Sequence, residues 1–440
     1  MIASRPREVD GAATIPKPAG PRSFRVLKIA PTSFFSDYGC HVRILEETLA
    51  LQALGSRVTI CTYHSGSNVR GLDIRRTLGL PGRNRVHVGS SPLRFILDAL
   101  LSLRAMLATI QVRPDIIHAH LHEGALIGGI LSRLWRVPLV FDFQGSLTSE
   151  MIDHGFLGLK RESALYGPLR RLESLINGLA DVVLTSSHNA ASVLVREFNY
   201  PADKVLPLPD GVNTERFRAR WDVPAAQKRE LRARLGIPQE RRLVVYLGLL
   251  AEYQGSSHLL RAAAELHARH DDLHFLLMGF PGQEHYRRLA VELGLGEHVT
   301  FTGRLPYERA PEHLALGDLA VSPKMSETEG NGKLFNYMAV GLPTVTFATP
   351  VSQEILGDLG VYAAIGDHVD LAGKMELLLY PGAEAAEELG RELRRRASKL
   401  FSWQESGHKL LNLYESLLHG RKHEETVDAL ADGIHTVGQE

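Results

Sequence analysis

Apolar, strand-like runs alternate with helical patterns along most of this chain, and that alternation restricts its fold more than any other feature. Strand–helix–strand units place parallel strands in one sheet with helices on both faces. The first series of strand-like runs comprises 25–31, 57–63, 116–120, 139–143 and 182–185. The second comprises 242–248, 274–279, 299–303, 319–322 and 343–347. An α/β fold with two doubly wound, Rossmann-like parallel-sheet domains is therefore predicted, with ligands bound in a cleft between them.

Composition sets the boundaries of these domains. Residues 1–22 are rich in Pro, Ala, Arg and Gly and contain no apolar core, so they predict a flexible tail and not a signal peptide. The two domains are expected at 23–215 and 216–395, followed by a C-terminal helix at 396–420 that packs back toward the first domain. The polar remainder, 421–440, is predicted to be disordered. A chain of 440 residues with 44% hydrophobic content can bury two sizeable cores.

The charge balance limits the partners that the chain can bind. The formal net charge is zero, which argues against nucleic acid as the main partner. Residues 1–212 hold 24 Lys and Arg against 18 Asp and Glu, whereas the remainder holds 26 against 32. The basic first half is compatible with a phosphorylated acceptor or with peripheral contact to an anionic membrane, and scattered surface charge explains it equally well.

Cysteine content and hydropathy bear on location. Cys40 and Cys61 are too few for a disulfide framework or a metal cluster, which favours a reduced, cytoplasmic protein. The most apolar helical window, 95–110, carries Asp98 and Arg104. This window is short for a transmembrane span, so it predicts an ordinary amphipathic helix.

The segment 326–343 gives the strongest indication of a ligand. It places acidic side chains, a glycine-rich turn and Lys333 in front of a helical pattern that extends to Val340. The backbone N–H groups and the positive dipole end of such a helix suit a phosphate. Glu327 and Glu329 can accept hydrogen bonds from sugar hydroxyls, and Lys333 can stabilise a pyrophosphate leaving group. Phosphate and sugar recognised together indicate a sugar nucleotide.

Other polar residues follow predicted strands of the first domain. Gly39 and His41 open the first helix, where a glycine lets the backbone approach a phosphate or a sugar, and an ordinary turn is the alternative. His118 and His120 share one face of a strand because residues two apart point the same way. His120, nearer the strand end, is the better candidate for a substrate contact, and a buried, hydrogen-bonded imidazole is the alternative for His118. No third ligand has suitable spacing, so no metal site is predicted.

Three more side chains have a functional and a structural interpretation. Gln144 can hydrogen-bond a hydroxyl group but cannot act as a general base, and a loop-stabilising amide is its alternative. Gln254 lies in a phosphate-loop position that contains no cation of its own, and a plain strand-to-helix connection explains it nearly as well. Lys324 follows a strand, where it can contact a phosphate or lie solvated on the surface.

Taken together, these segments resemble the retaining glycosyltransferases of family four, which have the GT-B fold. The similarity covers about residues 24–418. The matching segments, in family order, are the Gly39 loop, 114–120, 180–186, 210–213 with Phe217, 248–255, 301–303, 318–323, 338–343 and 366–367. The resemblance implies that the second domain binds an activated sugar donor and the first binds the acceptor. It also implies transfer with retention, no metal or other cofactor, and deprotonation of the acceptor assisted by the donor phosphate.

The resulting site prediction has three groups. The catalytic candidates are His120, Glu329 and Lys333. The donor-binding candidates are Gly39, Gln254, Arg304, Lys324, Glu327, Gly330, Asn331, Gly332, Leu334 and Asn336. The acceptor-side candidates are His41, His118 and Gln144. Backbone groups around residues 303–305 are expected to contact the nucleotide base.

The chain departs from the family pattern at positions that usually carry charge. Where the family's phosphate loop has Arg and Lys, this chain has Leu249 and Gln254. Of the usual pair of glutamates eight residues apart, Glu329 stands one residue out of register and Asn336 occupies the second position. Lys333 is therefore predicted to replace the missing cations. Asn336 can still hydrogen-bond ribose, though without the charge of a carboxylate.

The leading hypothesis is a retaining hexosyltransferase of carbohydrate biosynthesis that uses a UDP-sugar or GDP-mannose and a glycan, lipid or small-molecule acceptor. A catalytically inactive relative, which binds a sugar nucleotide or glycan as a regulatory or assembly protein, is the alternative. A third hypothesis is another GT-B enzyme, such as a phosphorylase or a sugar-nucleotide epimerase. A phosphorylase would need a basic pocket for free phosphate, and the sequence shows none.

Overall fold

The computed structural model describes residues 23–35, 39–79, 93–153, 159–326 and 330–419, and these residues form two parallel α/β sheets. The strands are β1 (Arg25–Ala30), β2 (Arg57–Thr62), β3 (Asp73–Arg76), β4 (Ile116–His120), β5 (Leu139–Phe143), β6 (Val182–Thr185), β7 (Val205–Pro207), β8 (Arg242–Leu247), β9 (Leu273–Met278), β10 (Val299–Phe301), β11 (Leu319–Ser322), β12 (Thr344–Phe347) and β13 (Val361–Ala363). The helices are α1 (Gly39–Ala53), α2 (Leu93–Val112), α3 (Leu121–Trp135), α4 (Leu147–Asp153), α5 (Tyr166–Asn177), α6 (His188–Phe198), α7 (Ala225–Arg234), α8 (Ser256–His267), α9 (Gln283–Glu292), α10 (Ala310–Leu314), α11 (Lys333–Val340), α12 (Pro350–Leu356), α13 (His368–Leu379), α14 (Ala383–Leu400) and α15 (Trp403–His419). The predicted α/β class with two Rossmann-like domains is confirmed.

Contacts divide the described residues into two compact units. Unit 1 contains the residues up to Pro209, except Gly39, together with α15, and unit 2 contains Gly39 and Asp210–Ser402. The sequence places the boundaries at 215 and 395, so the first lies earlier and the second later than predicted. The helix predicted at 396–420 is thereby divided: its first residues belong to α14 in unit 2, and α15 belongs to unit 1. Both predicted tails lie outside the described residues.

Strand order identifies the edge at which each sheet can bind a ligand. The sheet of unit 1 has the order β3-β2-β1-β4-β5-β6-β7, and that of unit 2 has the order β10-β9-β8-β11-β12-β13. Chain order therefore reverses between β1 and β4 in unit 1 and between β8 and β11 in unit 2. Doubly wound folds bind ligands outside the carboxyl ends of the strands at such a reversal.

The apolar character of the strands follows from this layered arrangement. Helices cover both faces of a parallel sheet, so its strands are buried on both faces and are apolar almost throughout. Each residue of β4, β5 and β9 is buried. The polar exceptions on the first two of these strands, His118, His120 and Asp142, form part of the site described below.

Helix α2 differs from its sequence prediction in length. It contains 20 residues, and the window Phe95–Val112, with a mean hydropathy of 1.6, is long and apolar enough to cross a membrane by length and composition alone. This corrects the prediction of a window too short to do so. In the structure α2 lies against β1 and β2. Leu97, Leu101 and Ala105 are buried there, and 28% of the window is buried.

Candidate active site

Lys333 places an ammonium group beside the loop that follows β8. Its Nζ donates a hydrogen bond of 2.7 Å to Oε1 of Gln254 and lies 5.4 Å from the centroid of the Tyr246 ring. The lysine side chain passes over Gly248, where an added Cβ would lie 2.8 Å from Lys333 Cε. A larger residue at this loop position would displace the end of the lysine side chain, whereas glycine leaves room for it. The cation that the loop itself does not contain is thus supplied from the first residue of α11.

Helix α11 presents two residues outward. Lys333 and Asn336, three residues apart and therefore on one side of the helix, are half-buried, whereas every other residue of α11 is buried. Tyr337 anchors the helix to β8, since its hydroxyl accepts a hydrogen bond of 2.8 Å from the Leu247 N–H. The two outward residues are consequently held at the carboxyl end of β8, next to the reversal of strand order.

Two predicted donor-binding residues, Asn331 and Leu334, have buried side chains. Asn331 is buried: its Oδ1 accepts from the Ser322 hydroxyl at 3.1 Å, and its Nδ2 donates to the Ser352 hydroxyl at 3.3 Å. Leu334 is fully buried, and its N–H donates to the carbonyl of Asn331 at 3.0 Å. These contacts brace the turn before α11. Both side chains are used inside unit 2, and the predicted contact of Asn331 and Leu334 with the donor stays a prediction.

The remaining predicted residues of this turn have mixed positions. Lys324 is buried and donates a hydrogen bond of 2.7 Å to the carbonyl of Gly330, which excludes the solvated alternative. Gly332 is the N-cap residue of α11. Glu327 and Glu329 lie outside the described residues, so their predicted roles stay predictions.

Arg304, predicted to contact the donor, is exposed at the turn after β10. Its guanidinium carbon lies 5.3 Å from the centroid of the Phe280 ring. Gly303, the residue before it, has a φ of +75°, a backbone conformation that glycine adopts readily. The pair forms a turn at the carboxyl edge of the sheet, and the predicted contact of its backbone with a base stays a prediction.

In unit 1, His118 and His120 lie on β4 with both rings fully buried. The rings stack with their centroids 4.7 Å apart and their planes at 15°, which confirms the predicted common face. His120 Nδ1 is 2.8 Å from the Asp142 carboxylate, and His118 Nδ1 is 2.7 Å from the Tyr414 hydroxyl of α15. The arrangement at His118 is the buried, hydrogen-bonded alternative. The Nε2 atoms of both rings have no hydrogen-bond partner among the described residues.

Four buried charges surround these histidines. Lys28 Nζ is 2.7 Å from Glu47 Oε2. Arg43 Nε is 2.9 Å from Asp142 Oδ2 and 3.2 Å from Glu47 Oε1. All four side chains are at most 2% exposed, and two cations balance two carboxylates. Such charges are tolerated in a core only when they are paired, so the four groups form one interdependent network.

Sequence inspection missed most of this network. Lys28 stands within the apolar run 25–31, and a charged residue inside a buried strand is the signal that could have revealed it. Arg43 and Glu47, four residues apart on a helix, have the spacing of an ordinary surface ion pair. Asp142 stands within the apolar run 139–143, and like Lys28 it is a charged residue inside a predicted buried strand.

The cluster also has the spacing of a metal site. One ligand atom each from Glu47, His118, His120 and Asp142 lie within 4.8 Å of one another. However, both Nε2 atoms are 4.0 Å from Glu47 Oε2, the oxygen that Lys28 already binds at 2.7 Å. A divalent cation at this point would meet an ammonium group at short range and would be repelled. The four residues therefore fit an ion-pair network better than a metal centre.

Burial determines the protonation of the cluster. It lowers the pKa of His118 well below the usual value, with His120 and Lys28 adding to the effect. Burial also lowers the pKa of His120, although Asp142 opposes this. For Asp142, burial alone would raise the pKa, but the charge of Arg43 and the hydrogen bond from His120 lower it well below the usual value. At neutral pH both imidazoles are therefore neutral and the carboxylate is ionised.

These neutral histidines predict a loss of stability in mild acid. Burial also lowers the pKa of His122 and of His313, and lowers that of His274 to about 4, so five histidines of the described residues have folded-state pKa values below the ordinary 6.5. Below pH 6.5 the unfolded chain binds more protons than the folded protein, so the free energy of unfolding decreases as pH falls and is unaffected above that range. Denaturant unfolding between about pH 7.5 and 5.5, the range in which an unfolded histidine takes up its proton, should show this decrease.

Histidine substitutions provide the control for this pH dependence. His118→Gln should reduce the pH slope of the free energy of unfolding, by a total of about 1.4 kcal/mol between pH 7.5 and 5.5, the contribution of one proton. His285→Gln, at an exposed position, should leave the slope unchanged. A wild-type slope in the His118→Gln protein would show that this histidine does not titrate on unfolding.

Three further predicted residues lie outside β4: the acceptor-side candidates His41 and Gln144 and the donor-binding candidate Gly39. His41 is buried in α1, where its Nε2 forms a short hydrogen bond with the Thr32 hydroxyl and its ring packs edge-on to Phe34 at 6.0 Å. Gln144 is half-buried, and its Nε2 donates 2.9 Å to Asp142. Gly39 is the exposed first residue of α1, and a Cβ there would meet nothing within 4 Å. Of the three, Gln144 contacts the buried cluster directly, because it shares the Asp142 carboxylate with His120.

Comparison with protein families matches both halves of the chain. Residues 38–211 match the model described as glycosyl transferase 4-like domain, and residues 227–396 match glycosyl transferases group 1. Among curated proteins, the D-inositol 3-phosphate glycosyltransferase of Corynebacterium diphtheriae is 27% identical over 317 residues, which span 69% of this chain and 71% of that protein. The D-inositol 3-phosphate glycosyltransferase of Acidothermus cellulolyticus is 28% identical over a region that spans 70% of this chain and 68% of that protein.

Solved structures share the fold at low sequence identity. Sucrose-phosphate synthase from Thermosynechococcus elongatus superposes with a TM-score of 0.75 at 20% identity, covering 91% of this chain and all of that one. HepE from Anabaena, in complex with UDP-glucose, superposes with a TM-score of 0.71 at 15% identity, covering 89% of this chain and all of that one. At these identities the likeness concerns the fold alone.

Proposed function

This chain belongs to the group 1 glycosyltransferases with the GT-B fold, and on that basis we propose that it transfers a hexose-type sugar from a nucleoside-diphosphate sugar to a hydroxyl acceptor with retention and without a metal. The observation that carries the proposal is the position of Lys333. Its ammonium lies 2.7 Å from Gln254 Oε1, beside the loop after β8. A cation at that edge of the sheet suits the negative charge of a pyrophosphate.

The donor side of the proposal uses the outward face of α11. Lys333 neutralises the departing diphosphate, and Asn336, on the same side of the helix, hydrogen-bonds a sugar or ribose hydroxyl. Leu249 and Gln254 are uncharged where the family usually places cations, so the diphosphate depends on Lys333. Lys324 supports this site indirectly, because it holds the carbonyl of Gly330 in the turn before the helix.

The acceptor side of the proposal uses unit 1. Gln144 is the half-buried end of a chain of hydrogen bonds, since it and His120 both bind the Asp142 carboxylate. His120 is fully buried, so we assign it a positioning role behind Gln144 and not direct contact with the substrate. Gln144 would hydrogen-bond the acceptor hydroxyl but cannot remove its proton.

The transfer step then needs no protein nucleophile. The bond between the anomeric carbon and the donor phosphate oxygen breaks, and the acceptor oxygen bonds to the same face of that carbon. The acceptor proton passes to the departing phosphate oxygen. Lys333 stabilises the charge that develops on the diphosphate, which is the electrostatic contribution expected of a preorganised cation.

The proposed donor and acceptor come from the related proteins. HepE was solved with UDP-glucose, and the curated relatives are named for D-inositol 3-phosphate. We therefore propose UDP-sugars as the first donors to test, GDP-mannose as the second, and a phosphorylated polyol as the first acceptor. The scarcity of cysteine, with two residues in 440, supports a reducing, cytoplasmic location.

A donor screen followed by a turnover assay tests the proposal. One sugar nucleotide of the screened set should raise the melting temperature, because a ligand that binds only the folded state stabilises it. With that donor, the protein should glycosylate D-inositol 3-phosphate or another hydroxyl acceptor, and EDTA should leave the rate unchanged. The anomeric configuration of the product, determined by NMR, should equal that of the donor.

Each outcome of this experiment discriminates between hypotheses. Binding of a sugar nucleotide without transfer or hydrolysis would favour the inactive, regulatory alternative. An inverted product would contradict the retaining mechanism, and loss of activity in EDTA would contradict metal independence. Phosphate-dependent cleavage of a glycan would favour a phosphorylase.

A further inference from the structure

Helix α2 of unit 1 exposes an apolar stripe. Ile96, Leu103, Leu107 and Ile110 are 52%, 48%, 40% and 53% exposed. Their spacing places all four on one side of the helix, whereas the side that faces the sheet carries the buried residues such as Leu101. The exposed side is thus as apolar as the buried one, which a helix that only covers a sheet does not require.

Helices α3 and α5 carry similar stripes. On α3, Leu126, Ile130 and Leu134 recur every four residues and are 43%, 56% and 67% exposed. On α5, Leu172 and Leu175 are 45% and 71% exposed. Because α2 contacts α3 and α3 contacts α5, the three stripes lie side by side. We call this surface the apolar helix face.

The charges near the apolar helix face are mainly positive. Exposed arginines lie beyond the ends of these helices or on them, namely Arg113, Arg133, Arg136, Arg161 and Arg171. Among the acidic groups, Glu162 is exposed beside Arg161 and Glu123 is half-buried on α3, whereas two others of the same helices are engaged inward. Asp98 accepts a hydrogen bond of 2.6 Å from Tyr63, and Glu173 is buried and accepts from the backbone of Leu147 and Thr148. An apolar centre with a basic periphery results.

We propose that the apolar helix face docks the protein on an anionic lipid bilayer. The leucine and isoleucine side chains would enter the boundary between headgroups and acyl chains, and the arginines would contact lipid phosphates. Helix α2 lies in the plane of the interface in this arrangement and does not span the membrane, because its other side is packed on β1 and β2. Vesicle binding requires no sugar transfer, so this inference stands or falls separately from the proposed function.

Charge favours a lipid surface over a second copy of the chain. A two-fold interface brings the same surface of both copies together, so the arginines around one face would approach those around the other. Like charges at such an interface are unfavourable. Anionic headgroups instead complement the basic periphery, and contiguous apolar surface beyond a few hundred Å² marks interaction sites on soluble proteins.

Co-sedimentation of the full-length protein with vesicles tests the inference. The wild type should sediment with phosphatidylcholine vesicles that contain phosphatidylglycerol, and more weakly with phosphatidylcholine alone. A triple variant with Leu103→Gln, Ile130→Gln and Leu134→Gln should bind at least about tenfold more weakly. Arg161→Gln with Arg171→Gln should weaken binding to the anionic vesicles and reduce its dependence on salt.

A matched variant in unit 2 controls for surface polarity and folding. Val291, Val369 and Leu377 are 68%, 57% and 51% exposed, so three substitutions to glutamine there remove a comparable exposed apolar area. This variant should bind like the wild type. Wild-type protein that stays in the supernatant at every lipid concentration would overturn the inference, as would equal loss of binding in the control. A dimer in light scattering that the Leu103, Ile130 and Leu134 substitutions abolish would instead assign the face to a second copy.

Discussion

Replacing Lys333 with alanine should lower turnover at least about tenfold, because a charge-assisted contact to the leaving diphosphate contributes about 1.5–3 kcal/mol. The structure strengthens the physical reason for this expectation. Lys333 Nζ reaches the loop after β8, where it binds Gln254 at 2.7 Å, and that loop has Leu249 where the family has arginine. The same change should weaken donor binding, which thermal shift measures independently of chemistry.

Two further lysine variants make this result specific. Lys333→Arg retains the charge and should recover part of the lost rate, although its longer, planar group cannot occupy the space over Gly248 in the same way. Lys399→Ala removes an exposed lysine from α14 in the same unit and should leave turnover unchanged. Wild-type turnover in Lys333→Ala, with donor binding intact, would contradict the proposed role of Lys333 in stabilising the leaving diphosphate.

Sequence patterns predicted the central strands and one edge strand, β10, and missed the other three edge strands. β4, β5, β6 and β11 were predicted to the residue, because a strand buried on both faces is an uninterrupted apolar run between turn signals. β3 and β13 were missed, and so was β7, which ends in Pro207. All three lie at sheet edges, where short length, charge and proline are tolerated because one side of the strand has no partner.

The sequence predicted those site residues whose position depends on neighbours in the chain. Lys333 and Asn336 were candidates from the segment's residue types and from the family resemblance, and the structure places both on the outward side of α11. The spacing of His118 and His120 identified a common strand face, because residues two apart on a strand point the same way. The partners of these residues were not predictable: Asp142, Arg43 and Glu47 come together through sheet order and helix packing, which no local pattern specifies.

Replacing Glu47 with glutamine should destabilise the folded protein by about 3–5 kcal/mol, the cost of leaving a buried charge without its partner. Glu47 neutralises Lys28 at 2.7 Å and also lies 3.2 Å from Arg43, and none of these side chains is more than 2% exposed. Burial already lowers the pKa of Lys28, an effect that the charge of Glu47 opposes. Denaturant unfolding monitored by fluorescence measures the loss.

An exposed helical ion pair provides the control. Arg309 and Glu312 are three residues apart and about half exposed, at 49% and 45%. Glu312→Gln should therefore cost no more than about 1 kcal/mol, since water screens an exposed pair. A double variant with Lys28→Met and Glu47→Gln should be more stable than Glu47→Gln alone, because it removes the uncompensated charge. If the double variant were less stable instead, Arg43 and not Lys28 would be the group that Glu47 chiefly neutralises. The carboxylate of Asp142 alone would then be insufficient to balance the charge of Arg43.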